Sequence, residues 1–300
     1  MGVAIITDSS AYLPHDLVVR HDITVIPLNI VIGGDVHDDG VDVTADDAAR
    51  ALREWRPVST SRPSPERFVH AFKAAAGAGA SGIVSVHLSG SMSGTVECAQ
   101  LAAEECSVPV HVIDSRTLGM GLGFAALSGA QAAAAGGSLE EVSAAVSARA
   151  AATRSLFYVD TLEHLRRGGR IGAAANLLGS ALMVKPLLNI ADGRIAPLEK
   201  VRTASRAIAR LEELIIELAG EAELDLAVQH LAAPARADTL AARLRDRLPR
   251  LRDLHVGEVG PAIGAHVGPG MLGVVIAPLR LSTERGSAGF RGWIRPSVGE

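Results

Sequence analysis

Short apolar runs alternate with helical patterns through the first half of the chain. Each apolar run ends in polar or small turn residues, which is typical of a short strand buried on both faces. Such strands with helices between them predict a parallel sheet covered on both sides. The predicted strands are residues 3–7, 82–88 and 110–114, and the predicted helices are residues 44–55, 65–76, 95–106 and 139–152.

Residues 23–43 break this alternation. The segment contains a strand-like run, a turn at Gly33 and Gly34, and a second strand-like run. This pattern predicts a hairpin that extends the first domain.

The second half of the chain has a different pattern of predicted strands and helices. Strand-like segments surround two helical patterns at residues 204–219 and 236–248, and Asp192 with Gly193 gives a strong hairpin signal. We therefore predict an α/β protein of two domains. The N-terminal domain, residues 1–155, has a mainly parallel sheet flanked by helices, and the C-terminal α+β domain, residues 156–281, has a mixed or antiparallel sheet. Residues 282–300, rich in glycine, serine and charge, are predicted to form a flexible tail.

Composition narrows the classes of function. The chain has 300 residues, 48% of them hydrophobic, and a formal net charge of −4. With 3% aromatic residues and no basic excess, it lacks the charge and the stacking surfaces that nucleic acids need. Two cysteines and ten histidines in no zinc-type spacing predict neither a disulfide framework nor a metal site. No apolar run is long enough for a membrane span and no signal-peptide pattern is present, so a soluble cytoplasmic protein is expected.

The most unusual polar segment is HLSGSMSGT, residues 87–95, which follows a predicted strand. Gly90 and Gly94 would let backbone amides approach a ligand, and the next helix would turn its positive end toward the same place. The hydroxyl donors of this segment are Ser91, Ser93 and Thr95. The pattern favours an anion site over an ordinary strand-to-helix turn. It is neither a P-loop nor a nucleophile elbow, since no Gly-Lys-Ser/Thr follows and Met92 occupies the nucleophile position.

Two further segments carry candidate ligand groups. Thr60 and Ser61 lie before a predicted helix but are not needed to cap it, so they are free either to bind a ligand or to shape the helix entry. His266 lies in the glycine-rich segment GPAIGAHVGPG, which is interpreted as a loop. A single histidine is more often structural than functional, and both interpretations stay open on the residues alone.

Arginines cluster around two glycines in LEHLRRGGRIG, and Arg202 and Arg206 could belong to the same face. The cluster predicts either a solvated helix end or a basic rim for a phosphate or an acidic partner. Residues 35–46 resemble a calcium loop only loosely, so a solvated hairpin face is favoured. Residues 121–126 weakly resemble a dinucleotide fingerprint, and core packing is favoured there.

In the order of its motifs the chain resembles the DegV family. The motifs are TDSSAYLP, TSRPSPERF, LSGSMSGTVECAQLA, VIDSRTLGMGLG, LEHLRRGGRIG, VKPLL, DGRIAPLEKVRT and GPAIGAHVGPGMLGVV, and together they span about residues 3–278. The resemblance implies two α/β domains with a long-chain fatty acid buried between them. It further implies a protein that is not an enzyme. Such a protein presents the fatty acid to a separate fatty acid kinase, which phosphorylates the carboxylate to an acyl phosphate.

The resemblance also implies roles for individual residues. The residues implied to hold the carboxylate are Thr60, Ser93, Gly94 and His266, with Ser61, Ser91 and Thr95 as secondary candidates. Arg170 and Arg202 would lie near the ligand mouth or face the kinase. Candidates for the tunnel wall are Met92, Phe157, Met183 and Met271. The chain departs from the usual family pattern at Arg62, where Gln is common, and at Gly90, where a second Ser is common. No cofactor or metal is implied, and contact with a membrane surface would be transient at most.

Two other functions stay open. One is a small-molecule hydrolase or transferase with Ser93 as nucleophile and His266 as base, for which Glu258 is the nearest candidate to orient the imidazole. The other is a lipid-free regulatory protein whose arginine face binds a partner.

Overall fold

The computed structural model describes residues 2–177 and 185–279 of the chain. The first part contains β1 (Val3–Asp8), α1 (His15–Arg20), β2 (Ile23–Ile26), β3 (Asn29–Ile32), β4 (Asp35–Asp38), α2 (Ala45–Arg53), β5 (Val58–Ser61), α3 (Pro65–Gly77), β6 (Gly82–His87), α4 (Thr95–Ala103), β7 (Val110–Asp114), α5 (Met120–Ala134) and α6 (Leu139–Ala152). Strands β2, β1, β6 and β7 form a parallel sheet in that order.

The second part contains β8 (Arg154–Tyr158), α7 (Glu163–Arg167), β9 (Lys185–Ala191), β10 (Arg194–Val201), α8 (Ala204–Ala219), β11 (Leu224–His230), α9 (Pro234–Arg247), β12 (Leu251–Glu258), α10 (Pro261–Val267) and β13 (Leu272–Pro278). Its sheet has the order β10-β9-β8-β13-β11-β12, and among these described strands β11 and β12 pair in parallel while the other neighbours pair antiparallel. The predicted fold class, a parallel sheet followed by a mixed sheet, is confirmed.

Alternation along the strands explains the layers of the first part. Every residue of β6 is buried, because helices cover both faces of the sheet. Ile83 packs on one face with Phe68 and Phe72 of α3, whereas Val84 packs on the other face with α5 and α6. The predicted helix over residues 139–152 is confirmed as α6, and its start is fixed by a capping box at Ser138.

Helices α5 and α6 lie between the two sheets and join them. Helix α5 packs on β1 and β6 of the first sheet and on β13 of the second. The helices can approach closely because Gly129 of α5 has no side chain: a Cβ there would lie 2.5 Å from Val146 of α6, far inside van der Waals contact. Residues 121–126 of α5 are all buried, so they serve core packing, as the sequence favoured.

The segment over residues 23–43 divides between two sheets. Its first strand, β2, pairs in parallel with β1, whereas β3 and β4 form the antiparallel hairpin across Gly33 and Gly34. Strand β5 adds to this hairpin beside β3. This small sheet places Thr60 opposite Ile30, at the boundary between the two halves of the molecule.

Other predictions have mixed outcomes. The hairpin at Asp192 and Gly193 is confirmed by β9 and β10, and the helix over residues 204–219 is confirmed as α8. The expectation of a solvated face at residues 35–46 is wrong for Asp39, which is 2% exposed and accepts hydrogen bonds from Ser9 and from the amide of Ala262. Met183 and the predicted tail lie outside the described residues.

Two absences hold for the described residues alone. Over residues 2–177 and 185–279, no three His, Cys, Asp or Glu side chains are grouped so that they could ligate a metal ion. In the same ranges, no helix combines the length and the apolar character that crossing a bilayer requires.

Candidate ligand-binding site

A largely apolar cavity lies between the two sheets. It contains about 930 Å³ of space free of protein atoms, part of which opens to solvent. Its apolar wall comes from both halves of the chain and includes Leu28, Leu88, Leu118, Phe157, Ile190 and Val275. The wall candidates Met92, Phe157 and Met271 line it. One part of the wall, which we call the head end, is formed by Thr60, Ser93, Arg170 and His266.

The head end brings together residues that are far apart in sequence. Thr60 Oγ1 on β5 lies 2.9 Å from Nε2 of His266 on α10, although 206 positions separate the two residues. Ser93 and Ser61 line the same cavity. The structure therefore gathers Thr60, Ser93 and His266, the three side chains selected for the carboxylate.

His266 is carried by a helix and not by the predicted glycine-rich loop. That expectation is wrong because the glycines mark the two ends of α10: Gly260 precedes Pro261 at the first helical position, and Gly268 ends the helix at a φ of 74°. The start of α10 is held by the first half of the chain, since Asp39 accepts from Ala262 N at 3.1 Å and Tyr12 Oη accepts from Ile263 N at 3.0 Å.

The imidazole of His266 is neutral near pH 7. Burial lowers its pKa to about 4, with a further contribution from the nearby positive charge of Arg170. Among the described residues Nδ1 has no hydrogen-bond partner. A buried N–H without an acceptor is rarer than a lone pair without a donor, so we assign the proton to Nε2. Nε2–H then donates to Thr60 Oγ1, which leaves the Thr60 hydroxyl proton for a ligand.

Gly168, just after α7, fixes the position of this ring. A Cβ added at Gly168 would overlap Nδ1 of His266, so only glycine permits the backbone to lie against the imidazole. The sequence motif LEHLRRGGRIG contains this glycine, but nothing local indicates that a histidine 98 positions later will pack on it.

The segment over residues 87–95 uses most of its polar groups internally. The amide of Gly90 donates to Asp114 at 3.1 Å, and the amides of Met92 and Ser93 both donate to the carbonyl of Ser89. Gly90 therefore does not offer its amide to the cavity. Ser93 Oγ lies 2.8 Å from the fully buried Thr95 Oγ1 and retains its place on the cavity wall.

Gly94 is the N-cap residue of α4 and, as a glycine, offers no capping side chain to the first amides of that helix. The uncapped start lies next to Ser93, where its positive end favours an anion. Arg62 crosses over Gly94 so closely that a Cβ there would overlap its guanidinium. The exposed Ser91 does not line the cavity, and Thr95 reaches it only through Ser93.

The two predicted rim arginines differ in place. Arg170 lines the head end and donates from Nε to the carbonyl of Met92 at 3.1 Å and from Nη1 to the carbonyl of Gly168 at 2.7 Å. Arg202 is exposed between β10 and α8 and lies outside the cavity wall. Arg62, which the sequence noted only as a departure, lines the mouth and pairs with Glu97 at 3.1 Å.

The geometry does not assemble a hydrolase triad at this site. His266 bonds to Thr60, Ser93 bonds to Thr95, and Glu258 accepts from the amide of Ala232 at 2.7 Å. A triad-like arrangement occurs elsewhere: His87 Nδ1 is 3.1 Å from Asp8, and its Nε2 is 2.6 Å from Ser85 Oγ. All three side chains there are 0% exposed, so no substrate reaches them.

Comparisons with known proteins agree with this architecture. Residues 2–279 match the model of a family described as "Uncharacterised protein, DegV family". The DegV domain-containing protein SCO2569 of Streptomyces coelicolor is 57% identical over 275 residues, covering 92% of this chain and 98% of that protein. The DegV domain-containing protein Rv2417c of Mycobacterium tuberculosis is 40% identical over 277 residues, covering 92% of this chain and 97% of that protein.

Two solved structures share the fold over nearly the whole chain. One, a DegV family protein from Thermus thermophilus described for its fatty acid binding, has a TM-score of 0.88 and 32% identity, covering 93% of this chain and all of that one. The other, DegV from Bacillus subtilis, described as a fatty acid binding protein, has a TM-score of 0.85 and 30% identity, covering 93% of this chain and 99% of that one.

Proposed function

This chain belongs to the DegV family, and we propose that its cavity binds a long-chain fatty acid whose carboxylate is held at the head end. One observation carries the proposal: the wall of a mainly apolar cavity contains the Thr60–His266 pair and Ser93. This arrangement suits a ligand that has a long apolar chain and a carboxylate at one end.

The carboxylate is held by donors that remain available at the head end. The Thr60 hydroxyl, oriented by His266 Nε2–H, donates one hydrogen bond, and the Ser93 hydroxyl donates a second. The N-terminus of α4, which follows Ser93, adds the positive end of a helix near the carboxylate. Arg170 supplies positive charge nearby, because a buried carboxylate left without partners is costly. The imidazole contributes by orienting Thr60 and not by carrying charge, since its pKa is about 4.

The apolar wall supplies most of the affinity. An acyl tail with about 14 buried methylenes gains roughly 11 kcal/mol at about 0.8 kcal/mol each. Association and ordering oppose this gain, and the remainder supports sub-micromolar binding. The head end then sets the direction in which the chain enters.

We further propose that the protein presents this carboxylate, in the cytoplasm, to a fatty acid kinase and performs no chemistry of its own. Exposure of Ser61 and Arg62 beside the head end supports access by a partner. Arg62 and Arg170 offer positive charge for an acyl phosphate leaving the site. Acyl phosphate formation by a fatty acid kinase catalytic protein, measured with and without this chain, tests the idea; equal rates would refute it.

The binding proposal is tested by denaturing extraction and mass spectrometry of the purified protein, followed by calorimetric titration of the delipidated protein with palmitic acid. We expect copurified fatty acid and saturable binding. Thr60→Val and Ser93→Ala should each weaken binding roughly tenfold or more, as expected for hydrogen bonds to a charged group. Ser91→Ala is the matched control, since Ser91 is exposed and lies outside the cavity wall. Protein that carries no lipid and takes up no palmitic acid would refute the proposal.

A further inference from the structure

Two polar side chains interrupt the apolar wall away from the head-end residues. Gln229 of β11 and Ser155 of β8 both line the cavity, and both flank strand β13. Gln229 lies opposite Gly273, which lies opposite Phe157 on the other side. Directly opposite residues of antiparallel strands share a face, so Gln229 lies on the same face of the sheet as Phe157.

Ser155 belongs to this face as well. It lies opposite Val275, two residues beyond Gly273 on β13, and side chains two apart on a strand point to the same side. Gly273 contributes no side chain between Gln229 and Phe157, and its Cβ position lies 3.3 Å from the methyl group of Met271 and 3.3 Å from the Cβ of Phe157. We call this face of β8, β13 and β11 the floor of the cavity. An acyl chain that crosses the floor passes over both Gln229 and Ser155.

Gln229 has an unused donor. The side chain is 5% exposed, and its Oε1 accepts from the amide of Met120 at 3.0 Å. Because that partner is a donor, it fixes which end of the side-chain amide is oxygen. Across residues 2–177 and 185–279 the amide nitrogen of Gln229 has no hydrogen-bond acceptor, so its two N–H groups are available to the cavity.

Ser155 is also only weakly engaged. It is 8% exposed, and its Oγ lies 3.4 Å from Thr117 Oγ1, at the long limit for a hydroxyl hydrogen bond. A plain hydrocarbon tail would leave the Gln229 donor without a partner in a nearly dry site, which is unfavourable.

Resting on the proposed fatty acid function, we propose that this cavity is built for an acyl chain that carries an oxygen substituent, a hydroxyl or keto group, in its interior. Gln229 Nε2–H donates to that oxygen. The hydroxyl group of Ser155, on the same floor, is a second possible partner for it. Gln229 is thus the residue that determines specificity between substituted and unsubstituted chains.

Calorimetric titration of the delipidated protein with octadecanoic acid and with hydroxyoctadecanoic acids, whose hydroxyl moves stepwise along the chain, tests the proposal. At least one positional isomer should bind about five- to tenfold tighter than octadecanoic acid, as expected for one additional hydrogen bond. In Gln229→Met, whose side chain has similar length and no amide, this advantage should disappear.

A second variant guards against loss of the contact to Met120. Gln229→Glu keeps an oxygen for that amide and replaces the donor with an acceptor, so it should remove any preference for oxooctadecanoic acids, whose keto group only accepts, whereas a hydroxyl can still donate to the carboxylate. Thr60→Val should weaken all the acids by one common factor. If wild type prefers octadecanoic acid over every isomer, or if the preference survives in Gln229→Met, the floor contributes no specificity and the proposal is overturned. If no acid binds at all, the proposed function fails with it.

Discussion

Two clusters in this molecule combine a histidine with hydroxyl side chains, and they differ in what their polar atoms contact. The closed cluster consists of Asp8, Ser85 and His87 at the ends of adjacent parallel strands. The open cluster consists of Thr60, Ser93 and His266, which lie on an edge strand, a turn and a short helix. Its residue types favour the closed cluster as an active site, since hydrogen bonds link Asp8, His87 and Ser85 in the same order as in an Asp-His-Ser catalytic triad.

The closed cluster is complete without a ligand. Asp8 accepts from the amide and hydroxyl of Ser10, from the amide of Leu88 and from His87 Nδ1. The ring of His87 packs edge-on against Phe68, with centroids 5.1 Å apart. Every side chain is inaccessible, so this network stabilises the sheet.

The open cluster is incomplete without a ligand. Nδ1 of His266 has no partner among the described residues, Thr60 lines a cavity, and the N-cap residue of α4 is a glycine, which has no capping side chain. The comparison teaches that a functional site is identified by polar groups that remain unsatisfied next to empty space, more than by the residue types it contains.

The largest effect should come from breaking the closed cluster. Asp8→Ala removes the acceptor for four donors and leaves His87 buried without its partner, so we expect a loss of about 3–5 kcal/mol in the free energy of unfolding. Urea denaturation followed by circular dichroism measures it. Thr60→Val in the open cluster is the comparison: it removes one acceptor, that of His266 Nε2–H, and should cost less, about 1–2 kcal/mol. If both variants unfold at the same urea concentration, the distinction between the two clusters is wrong.

The next effect concerns the charge of His266. Its folded pKa of about 4 lies below the ordinary value of 6.5, so between these values the unfolded chain binds more protons. Stability should therefore fall as pH drops from 6.5 toward 4, by up to about 3 kcal/mol from this group. Burial also lowers the pKa values of His164 and His230, which add slope of the same sign.

Urea titrations at a series of pH values isolate the His266 share. His266→Gln should flatten the acid side of the stability profile, whereas His70→Gln, at an exposed position on α3, should leave it in place. A bound carboxylate favours the protonated ring, so saturation with palmitic acid should also flatten the profile of wild type. An unchanged profile in His266→Gln would show that the imidazole is not held neutral by its surroundings.

Local sequence features predicted much of the fold and part of the site. Strands of the parallel sheet and helix α6 follow from apolar runs and a capping box, which act within a few residues. The hydroxyls of Thr60 and Ser93 were detectable because they exceed what capping requires. From the residues alone, however, a structural role was the better expectation for His266. Only the family resemblance favoured a role in ligand binding.

Long-range contacts account for what the sequence did not predict. The Asp39 contact to Ala262 spans 223 positions and converts a loop-like aspartate into the cap of the helix that carries His266. The crossing of Arg62 over Gly94 and the approach of Gly168 to the imidazole depend on how distant segments dock. No local pattern encodes these distances, because each depends on packing between segments that are far apart in the sequence.

The smallest predicted effect separates two adjacent glycines. Gly168 has an ordinary φ of −73°, so Gly168→Ala acts only through the overlap with His266 and should displace the ring from Thr60. Palmitic acid affinity should fall about tenfold, the loss of one hydrogen bond near a charge. Gly169 has a φ of 68° and open space around its Cβ position, so Gly169→Ala should cost about 1 kcal/mol of stability and leave affinity unchanged. Calorimetric titration and urea denaturation of both variants measure the two quantities. Equal affinity in both variants would mean that the position of the His266 ring does not matter to the open cluster, and its polar atoms would then be as purely structural as those of the closed one.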